Sequence, residues 1–425
     1  MKKLRFGWRS FRFVAVLPLA WLIGLLMLWG VYSLPGEMPL KHAQESAHVF
    51  WTEKTNQTWV LGGLPNVWQD NIADAYIIGM AANEVDAGYT PLERALNAYF
   101  PMIPEKEYAS CTHLAMYLND PEQPVDLYYY GRYWGGFALM ARLWLFVCTY
   151  PQLRMINLVL QLLVAAAAVF CAWRELGWRG GVAVLIAYVT LSPYTISLSM
   201  QYYPCFYLGF GGMIAVCLLH RKKAGLEAYS WLFLVLGILT AYLDFLTYPA
   251  AVVGLPAMIW LALHPSEDRV VLKLLRLGLL WALGYAGMWA GKWILCALTD
   301  NMGYTGGTVS EKLSTYTSDT ILSAFEVLAV PFRAISKKRI LILCLPSLAA
   351  LAAGLRRVAQ KKSGWNMQAA YFGLLMLVPL AWVLFTKGHS SHHTFLCNRN
   401  LSVFFGSAFL LCSSLAKPAG RTSIQ

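Results

Sequence analysis

The amino-acid sequence predicts an all-α membrane protein with about ten transmembrane helices and a large extracytoplasmic loop after the first of them. Of the 425 residues, 58% are hydrophobic and 13% are charged, which is about half the charged fraction of a soluble domain. Uncharged runs of about 20 residues, long enough to cross a bilayer, recur along the chain. The net charge of +12 is divided between regions of opposite sign. A soluble globular fold is therefore excluded.

The apolar runs give the predicted helices in order. The first run follows five basic residues and contains no charge, so we expect it to remain as a membrane anchor and not to be cleaved as a signal peptide. The predicted spans are 13–32, 153–173, 181–198, 204–219, 230–247, 249–263, 277–298, 340–355, 369–386 and 401–416. The run 249–263 is short and contains two prolines, so a pair of half-length helices there would change the count by two.

The positive charge predicts an orientation in the membrane, and no nucleic-acid partner is expected. Residues 34–131 hold 13 of the 22 acidic residues and four of the 34 basic ones, a net charge of −9 that leaves +21 on the rest of the chain. Basic clusters occupy every second connection: Arg174 and Arg179; Arg221, Lys222 and Lys223; Arg269, Lys273 and Arg276; Arg356, Arg357, Lys361 and Lys362; Lys417 and Arg421. Because such clusters mark cytoplasmic loops, we expect both termini in the cytoplasm.

These boundaries divide the chain into five segments. They are 1–33, the basic start and first span; 34–152, an outer loop with interfacial helices; 153–298, spans two to seven; 299–338, a second outer loop; and 339–425, spans eight to ten with an outer His/Arg loop at 387–400 and a cytoplasmic tail. The polar clusters that could carry chemistry all lie on the predicted outer side.

Two aspartates in the first outer loop are candidates for proton transfer. The segment 68–80 predicts a helix entered through an Asp or Asn cap, and Asp70 and Asp74 share one face of it because they are four residues apart. One could accept a proton from a hydroxyl while the other orients it or helps to hold a divalent cation. The alternative is that Asp70 only caps the helix and Asp74 is solvated.

Aromatic residues and cations adjoin each other at the end of the same loop. Tyr130, Arg132, Tyr133 and Trp134 precede an apolar helix with Arg142 at its centre. Tyrosine and tryptophan settle at the headgroup level of a bilayer, which favours an interfacial anchor. The two arginines would also suit an anionic headgroup, because guanidinium binds phosphate oxygens as a bidentate fork.

Histidines and an arginine lie just outside the last span. His389 and His393 would share a helical face, but a zinc site needs a further ligand that the local sequence does not supply. Together with His392 and Arg399 they could instead neutralise a phosphate leaving group at the interface. A plain polar loop is the alternative.

A basic cluster, Lys337, Lys338 and Arg339, ends the second outer loop. Its position is unusual, because the orientation rule expects few basic residues on the outer side. The cluster either docks an anionic lipid headgroup or flanks the next span.

This layout resembles the GT-C class of integral-membrane glycosyltransferases. The likeness covers nearly the whole chain as architecture, and in sequence it depends on residues 70–74, 130–134 and 389–393 with Arg399. Members of the class often have adjacent acids in this loop, whereas here three residues separate Asp70 from Asp74. The departure leaves open which carboxylate is the base and whether a metal takes part.

The resemblance implies transfer of one sugar from a polyprenyl-phosphate carrier to a hydroxyl of a glycan or lipid acceptor. The reaction would occur on the outer face of a bacterial cytoplasmic membrane, in cell-envelope synthesis. Asp70 or Asp74 would take the proton, with either no cofactor or a divalent cation, Mg²⁺ or Mn²⁺. The donor phosphate would be held by Arg132, His389, His392, His393 and Arg399. Contacts with lipid headgroups would come from Tyr130, Tyr133, Trp134, Lys337, Lys338 and Arg339.

Two other functions fit part of the sequence. A polysaccharide polymerase or ligase shares the chemistry, but its large loop would be expected late in the chain. A lipid-linked-glycan transporter would place its binding groups near the bilayer midplane. In this chain the polar clusters lie at the outer ends of the predicted spans.

Overall fold

The structure is a computed structural model that describes residues 8–55, 57–61, 64–85, 88–104, 107–265, 268–298, 324–360 and 366–416. Residues 299–323 of the predicted second outer loop lie outside the described residues, as do Lys361, Lys362, Lys417 and Arg421 of the last two basic clusters. Helices dominate the described residues, and the strands form two antiparallel pairs.

The first third of the chain contains one long helix and a series of short elements. In chain order these are α1 (Trp8–Tyr32), α2 (Glu37–Glu45), α3 (Ala47–Thr52), β1 (Gln57–Leu61), β2 (Leu64–Gln69), α4 (Asn71–Ala82), α5 (Pro91–Asn97), β3 (Phe100–Met102), α6 (Ser110–Asn119), β4 (Asp126–Tyr128) and α7 (Gly136–Leu145). Strand β1 pairs with β2, and β3 pairs with β4.

The rest of the described chain is helical. Its α-helices are α8 (Tyr150–Leu176), α9 (Trp178–Thr190), α10 (Pro193–Leu198), α11 (Tyr203–Arg221), α12 (Leu226–Leu243), α13 (Pro249–Leu263), α14 (Val270–Leu298), α15 (Ala324–Arg333), α16 (Lys337–Ala359), α17 (Tyr371–Phe385), α18 (Lys387–His392), α19 (Thr394–Cys397) and α20 (Leu401–Ser414). Short 3₁₀ turns cover Met200–Tyr202, Met367–Ala370 and Asn398–Asn400.

Helices occupy all ten predicted spans, but 181–198 is interrupted between α9 and α10, and 244–247 of the span 230–247 lie beyond the end of α12. Among the described residues, seven helices are long and apolar enough to cross a membrane. The other three predicted runs form the shorter apolar helices α9, α13 and α17. The chain is therefore a multi-pass helical membrane protein, while the number of spans and their sidedness stay predictions.

Helix α8 shows how local sequence sets an element. Thr149 and Gln152 form a capping box, in which each side chain accepts the other's backbone N–H, and Pro151 lies in the first turn. This combination satisfies N–H groups that would otherwise lack partners. Gly177, with φ of 67°, ends the helix and turns the chain into α9, a conformation that favours glycine.

Helix α13 lies at the centre of the bundle. Of its 15 residues, 13 are buried, and it packs against α11, α17 and α20. Its length of about 22 Å is shorter than a hydrocarbon core, but protein surrounds it on nearly all sides. Helices α8 and α14 instead expose apolar side chains such as Leu163 and Leu279, as expected for lipid-facing surfaces.

The segment between α1 and α8 packs as one unit onto the ends of the long helices. Its core joins Phe50 of α3, Ile78 of α4, Leu114 of α6 and Ala138 of α7 with Tyr150 at the start of α8. Helix α4 is therefore fixed against the bundle, and it carries the two aspartates.

Candidate functional site

Asp70 starts α4 and ties it to the segment that precedes α11. It is the N-cap residue, and its Oδ1 accepts the Ala73 N–H at 3.0 Å. Its own N–H donates to Oγ of Ser199 at 3.0 Å. The helix predicted to begin with an aspartate cap is therefore present.

Asp74 is completely enclosed. Its Oδ2 accepts hydrogen bonds from the Tyr150 hydroxyl and from the Met200 N–H at 2.9 Å, and its Oδ1 accepts the Gln201 N–H at 3.3 Å. Burial raises the pKa of Asp74 to about 7, although the Tyr150 hydrogen bond and the positive charge of Arg154 act in the opposite direction. The alternative of a solvated Asp74 is wrong, because the carboxyl group has no exposed surface.

Arg154 connects this environment to a second acid, Glu53. Its guanidinium donates to both Glu53 oxygens, at 3.1 and 2.9 Å, and to the Tyr150 hydroxyl at 2.7 Å. It also donates to Oδ1 of Asn71 at 3.2 Å. Sequence patterns did not single out Arg154 or its partners. The available signal was a cation at the start of span 153–173, on the predicted outer side where few are expected.

Arg399 reaches the same site from the other end of the chain. It is 1% exposed, and its Nη2 donates to the Trp68 carbonyl at 3.2 Å and to Oγ1 of Thr195 at 2.9 Å. The guanidinium carbon lies 3.7 Å from the centroid of the Tyr202 ring. Because Trp68 precedes Asp70 by two residues, the structure brings Arg399 to the end of β2 next to Asp70. Its Nε is buried and has no hydrogen-bond partner.

Arg339 is buried near Arg399, which corrects the headgroup contact expected of it. Its Nη2 donates to the last two carbonyl groups of α9, both at 2.8 Å, and its Nη1 has no partner. The two guanidinium groups are near enough to repel each other, and neither forms an ion pair within the part of the chain that the structure describes. Lys337 and Lys338 are exposed at the start of α16, so only they are accessible to a headgroup.

The histidine cluster adjoins this site through aromatic contacts. The rings of His389 and His393 lie 4.7 Å apart, as their spacing predicted. The ring of His393 lies 6.1 Å from that of Phe395, which stacks on Trp68 at 5.2 Å. Only the backbone of His392 is described, so its predicted contact with phosphate lies outside the described side chains.

Tyr130 and Tyr133 belong to a buried aromatic stack. Both rings lie parallel to Phe245, at 5.4 and 5.2 Å, and the Arg132 guanidinium lies 4.0 Å from the centre of the Tyr130 ring. Tyr76 packs on Tyr130 at 5.2 Å. The stack therefore contacts α4, the helix that carries both aspartates, and contacts of the two tyrosines with lipid headgroups do not fit their burial.

Trp134 and Arg142 lie inside the protein, which corrects the headgroup contacts expected of them. Trp134 is 1% exposed, and its indole N–H donates to the Met288 carbonyl at 2.6 Å. Arg142 has no exposed surface and pairs with Glu84 at 2.6 Å. Their sequence surroundings suggested an interface, because amphipathic side chains occur both there and in buried polar networks.

The surroundings of the two aspartates do not fit a divalent cation. Mg²⁺ and Mn²⁺ take several oxygen ligands, whereas the Asp74 oxygens face O–H and N–H donors and Oδ1 of Asp70 faces a backbone N–H. The described residues contain no group of three or more His, Cys, Asp or Glu side chains that could hold a metal. The zinc site considered for the histidines therefore has no described third ligand.

An apolar cavity of about 260 Å³ lies beside Asp74. Ile77, one turn further along α4, lines it together with Met200, whose N–H donates to Asp74. Met140 and Leu160 also line the cavity and are exposed on the outside of the bundle. An apolar chain could therefore enter from the lipid-facing surface and reach Ile77 and Met200, the neighbours of Asp74.

No family model, curated protein or solved structure matches the chain. The fold and the site define a multi-pass helical membrane protein with a buried cluster of charged residues at one end of its helices. These side chains are therefore the guide to function, because a fold class alone does not specify a reaction.

Proposed function

We propose that the protein is a membrane glycosyltransferase that moves a sugar from a polyprenyl-phosphate carrier to an acceptor hydroxyl on the extracytoplasmic face, as in the GT-C class. The observation that carries this proposal is that Asp70 and Arg399, from distant parts of the chain, meet through Trp68, while Asp74 is hydrogen-bonded to Met200 of the cavity wall. This arrangement combines a proton acceptor, a cation for a leaving phosphate and space for a lipid tail.

Arg399 and Arg339 would bind the donor phosphate. A buried cation without a counter-ion is costly, and these two guanidinium groups retain N–H groups without partners. A phosphate would supply both negative charge and acceptor oxygens. Negative charge grows on the phosphate as the glycosidic bond breaks, so the interaction strengthens in the transition state. His389 and His393 would add donors next to this position.

Asp70 would act as the general base. The residue is 6% exposed, whereas Asp74 has no exposed surface. The acceptor oxygen would attack the anomeric carbon on the face opposite the phosphate and give its proton to Asp70. The carbon–oxygen bond to the phosphate would break, and its electron pair would leave with the phosphate, so the configuration would invert. Asp74 would orient Asp70 indirectly. It holds the backbone of Met200 and Gln201, and the adjacent Ser199 accepts the N–H of Asp70.

The test of this proposal replaces Asp70 with Asn. Asparagine caps a helix as well as aspartate does, so Asp70→Asn keeps the start of α4 and removes the proton acceptor. We expect turnover of a polyprenyl-phosphate sugar to fall about 10²–10⁴-fold while the unfolding temperature changes little. The measurement is release of free polyprenyl phosphate by purified protein in nanodiscs, followed by mass spectrometry.

Asp120→Asn is the matched control, because Asp120 is an exposed residue of the same outer segment. We expect this variant to keep wild-type turnover. Wild-type turnover in Asp70→Asn would exclude Asp70 as the base. Donor binding by the wild-type protein without any turnover would instead favour a lipid-linked-glycan transporter.

A further inference from the structure

A second cavity lies at the opposite end of the helices from Asp74. It encloses about 180 Å³, and its lining includes Leu176, Arg179, Asn366, Tyr371 and Ser414. Helix α8 begins at Tyr150, which contacts Asp74, and ends at Leu176. Its 27 residues span about 40 Å, so Asp74 and the second cavity are separated by roughly the thickness of a bilayer.

Positive charge gathers around this second cavity. Arg179 lines it, and Arg357 is near enough to repel Arg179. Neither Arg179 nor Arg357 forms an ion pair with a described acid: Glu175 lies 3.6 Å from Arg221, and Asp268 is an exposed residue. In the sequence these basic clusters indicate orientation only, and the fold brings Arg179 of one cluster near Arg357 of another.

The rest of the lining combines polar and apolar groups. Asn366, Tyr371 and Ser414 supply amide and hydroxyl groups, and Phe372 and Leu410 supply apolar surface. This combination fits a molecule with a phosphate at one end and hydrocarbon at the other.

The neighbouring surface has the character of a membrane interface. Trp178 is 52% exposed, and the Arg179 guanidinium lies 5.8 Å from its ring centre. Exposed tryptophan beside a cation is typical of the headgroup level. The opening of the cavity therefore lies where a lipid phosphate would be found.

We propose that this cavity binds the headgroup of an anionic phospholipid from the leaflet opposite the Asp74 site. Arg179 binds the phosphate, with Arg357 adding to the local positive potential, and the acyl chains leave along Phe372 and Leu410. Basic pockets between membrane helices bind anionic headgroups by this combination of charge and apolar contact. The site is independent of glycosyl transfer, since it involves none of the residues assigned to that reaction.

The experiment measures lipid retention by native mass spectrometry of the purified full-length protein. Dioleoylphosphatidylglycerol is the anionic probe, and dioleoylphosphatidylcholine is its zwitterionic control. We expect the wild-type protein to retain the anionic lipid preferentially. Arg179→Gln should weaken its binding about fivefold, the effect of one basic contact near a membrane surface.

Lys222→Gln is the matched control, because it removes one charge from the same end of the bundle at an exposed residue that does not line the cavity. It should leave lipid retention unchanged, and Arg179→Lys should fall between wild type and Arg179→Gln because the lysine keeps the charge without the planar fork. Equal losses in Arg179→Gln and Lys222→Gln, or equal retention of the two lipids by the wild type, would overturn the proposal. So would binding of inorganic phosphate as tight as that of the anionic lipid.

Discussion

At the scale of single residues, enclosure decides the chemistry of Asp74. Burial favours the neutral carboxyl group more strongly than the surrounding donors and Arg154 favour the charged one. The pKa therefore rises from 3.8 to about 7. Asp74 therefore titrates near neutral pH. Its carboxyl group accepts hydrogen bonds from the backbone N–H groups of Met200 and Gln201, which follow Ser199.

This pKa makes stability depend on pH. Between pH 3.8 and about 7 the folded protein keeps a proton on Asp74 that the unfolded chain has lost. The free energy of unfolding therefore falls as the pH rises through this range and levels off above it. Asp74→Asn removes the titrating group, so the wild type should lose stability relative to this variant as the pH rises.

Thermal unfolding in detergent, followed by circular dichroism at a series of pH values, measures this effect. Asp120→Asn, at an exposed position, should keep a nearly constant offset from the wild type. If the offset between Asp74→Asn and wild type is also constant across the range, Asp74 has an ordinary pKa in the folded protein.

The sequence could predict that an aspartate caps α4. It could not predict which distant residues contact one another at the site. The bond from the Ala73 N–H to Asp70 spans three residues, and such local patterns recur in helix starts. The bond from Arg399 to Trp68 spans 331 residues, and that from Arg154 to Glu53 spans 101. Such contacts depend on how helices pack, which periodicity and spacing do not encode.

At the scale of elements, α12 and α14 pack with their backbones in close contact. A Cβ atom on Gly237 would lie 2.0 Å from the Trp281 carbonyl oxygen, and one on Gly284 would lie 2.4 Å from the Leu234 carbonyl oxygen. Small residues allow membrane helices to approach in this way. The obstructing atoms belong to the backbone, so a side chain cannot rotate to make room.

We expect Gly284→Ala to lower the free energy of unfolding by about 1–3 kcal/mol, the usual cost of overpacking. Gly278→Ala is the control on the same helix, because no atom lies within 4 Å of its added Cβ. It should be neutral or stabilising, since alanine favours helix over glycine. Unfolding temperatures in detergent compare the two, and equal destabilisation would mean that α12 and α14 do not pack at this distance.

Apolar runs predicted where the helices lie but not which of them face lipid. Residues 249–263 were predicted as a span on composition and became α13, which is buried within the bundle. Trp134 was expected at the surface. It is instead buried, and its indole N–H donates to the Met288 carbonyl. Hydrophobicity gives the tendency to leave water, and both lipid and protein interior satisfy it.

At the scale of the whole molecule, the two ends of the bundle carry different sets of charged side chains. One end has the enclosed acids with Arg154 and Arg399, and the other has a cavity lined by Arg179. The sequence prediction assigns the first end to the outside and the second to the cytoplasm, because positive charge marks cytoplasmic loops. The reaction and its side of the membrane can therefore be tested together.

The most direct measurement uses sealed membrane vesicles of both orientations that contain the protein and a polyprenyl-phosphate hexose, with water as the acceptor. We expect free hexose to appear in the medium of right-side-out vesicles and in the lumen of inside-out vesicles. Both signals should fall about 10²–10⁴-fold with Asp70→Asn. Free hexose on the opposite side, or none above vesicles that lack the protein, would contradict an outer-face glycosyltransferase.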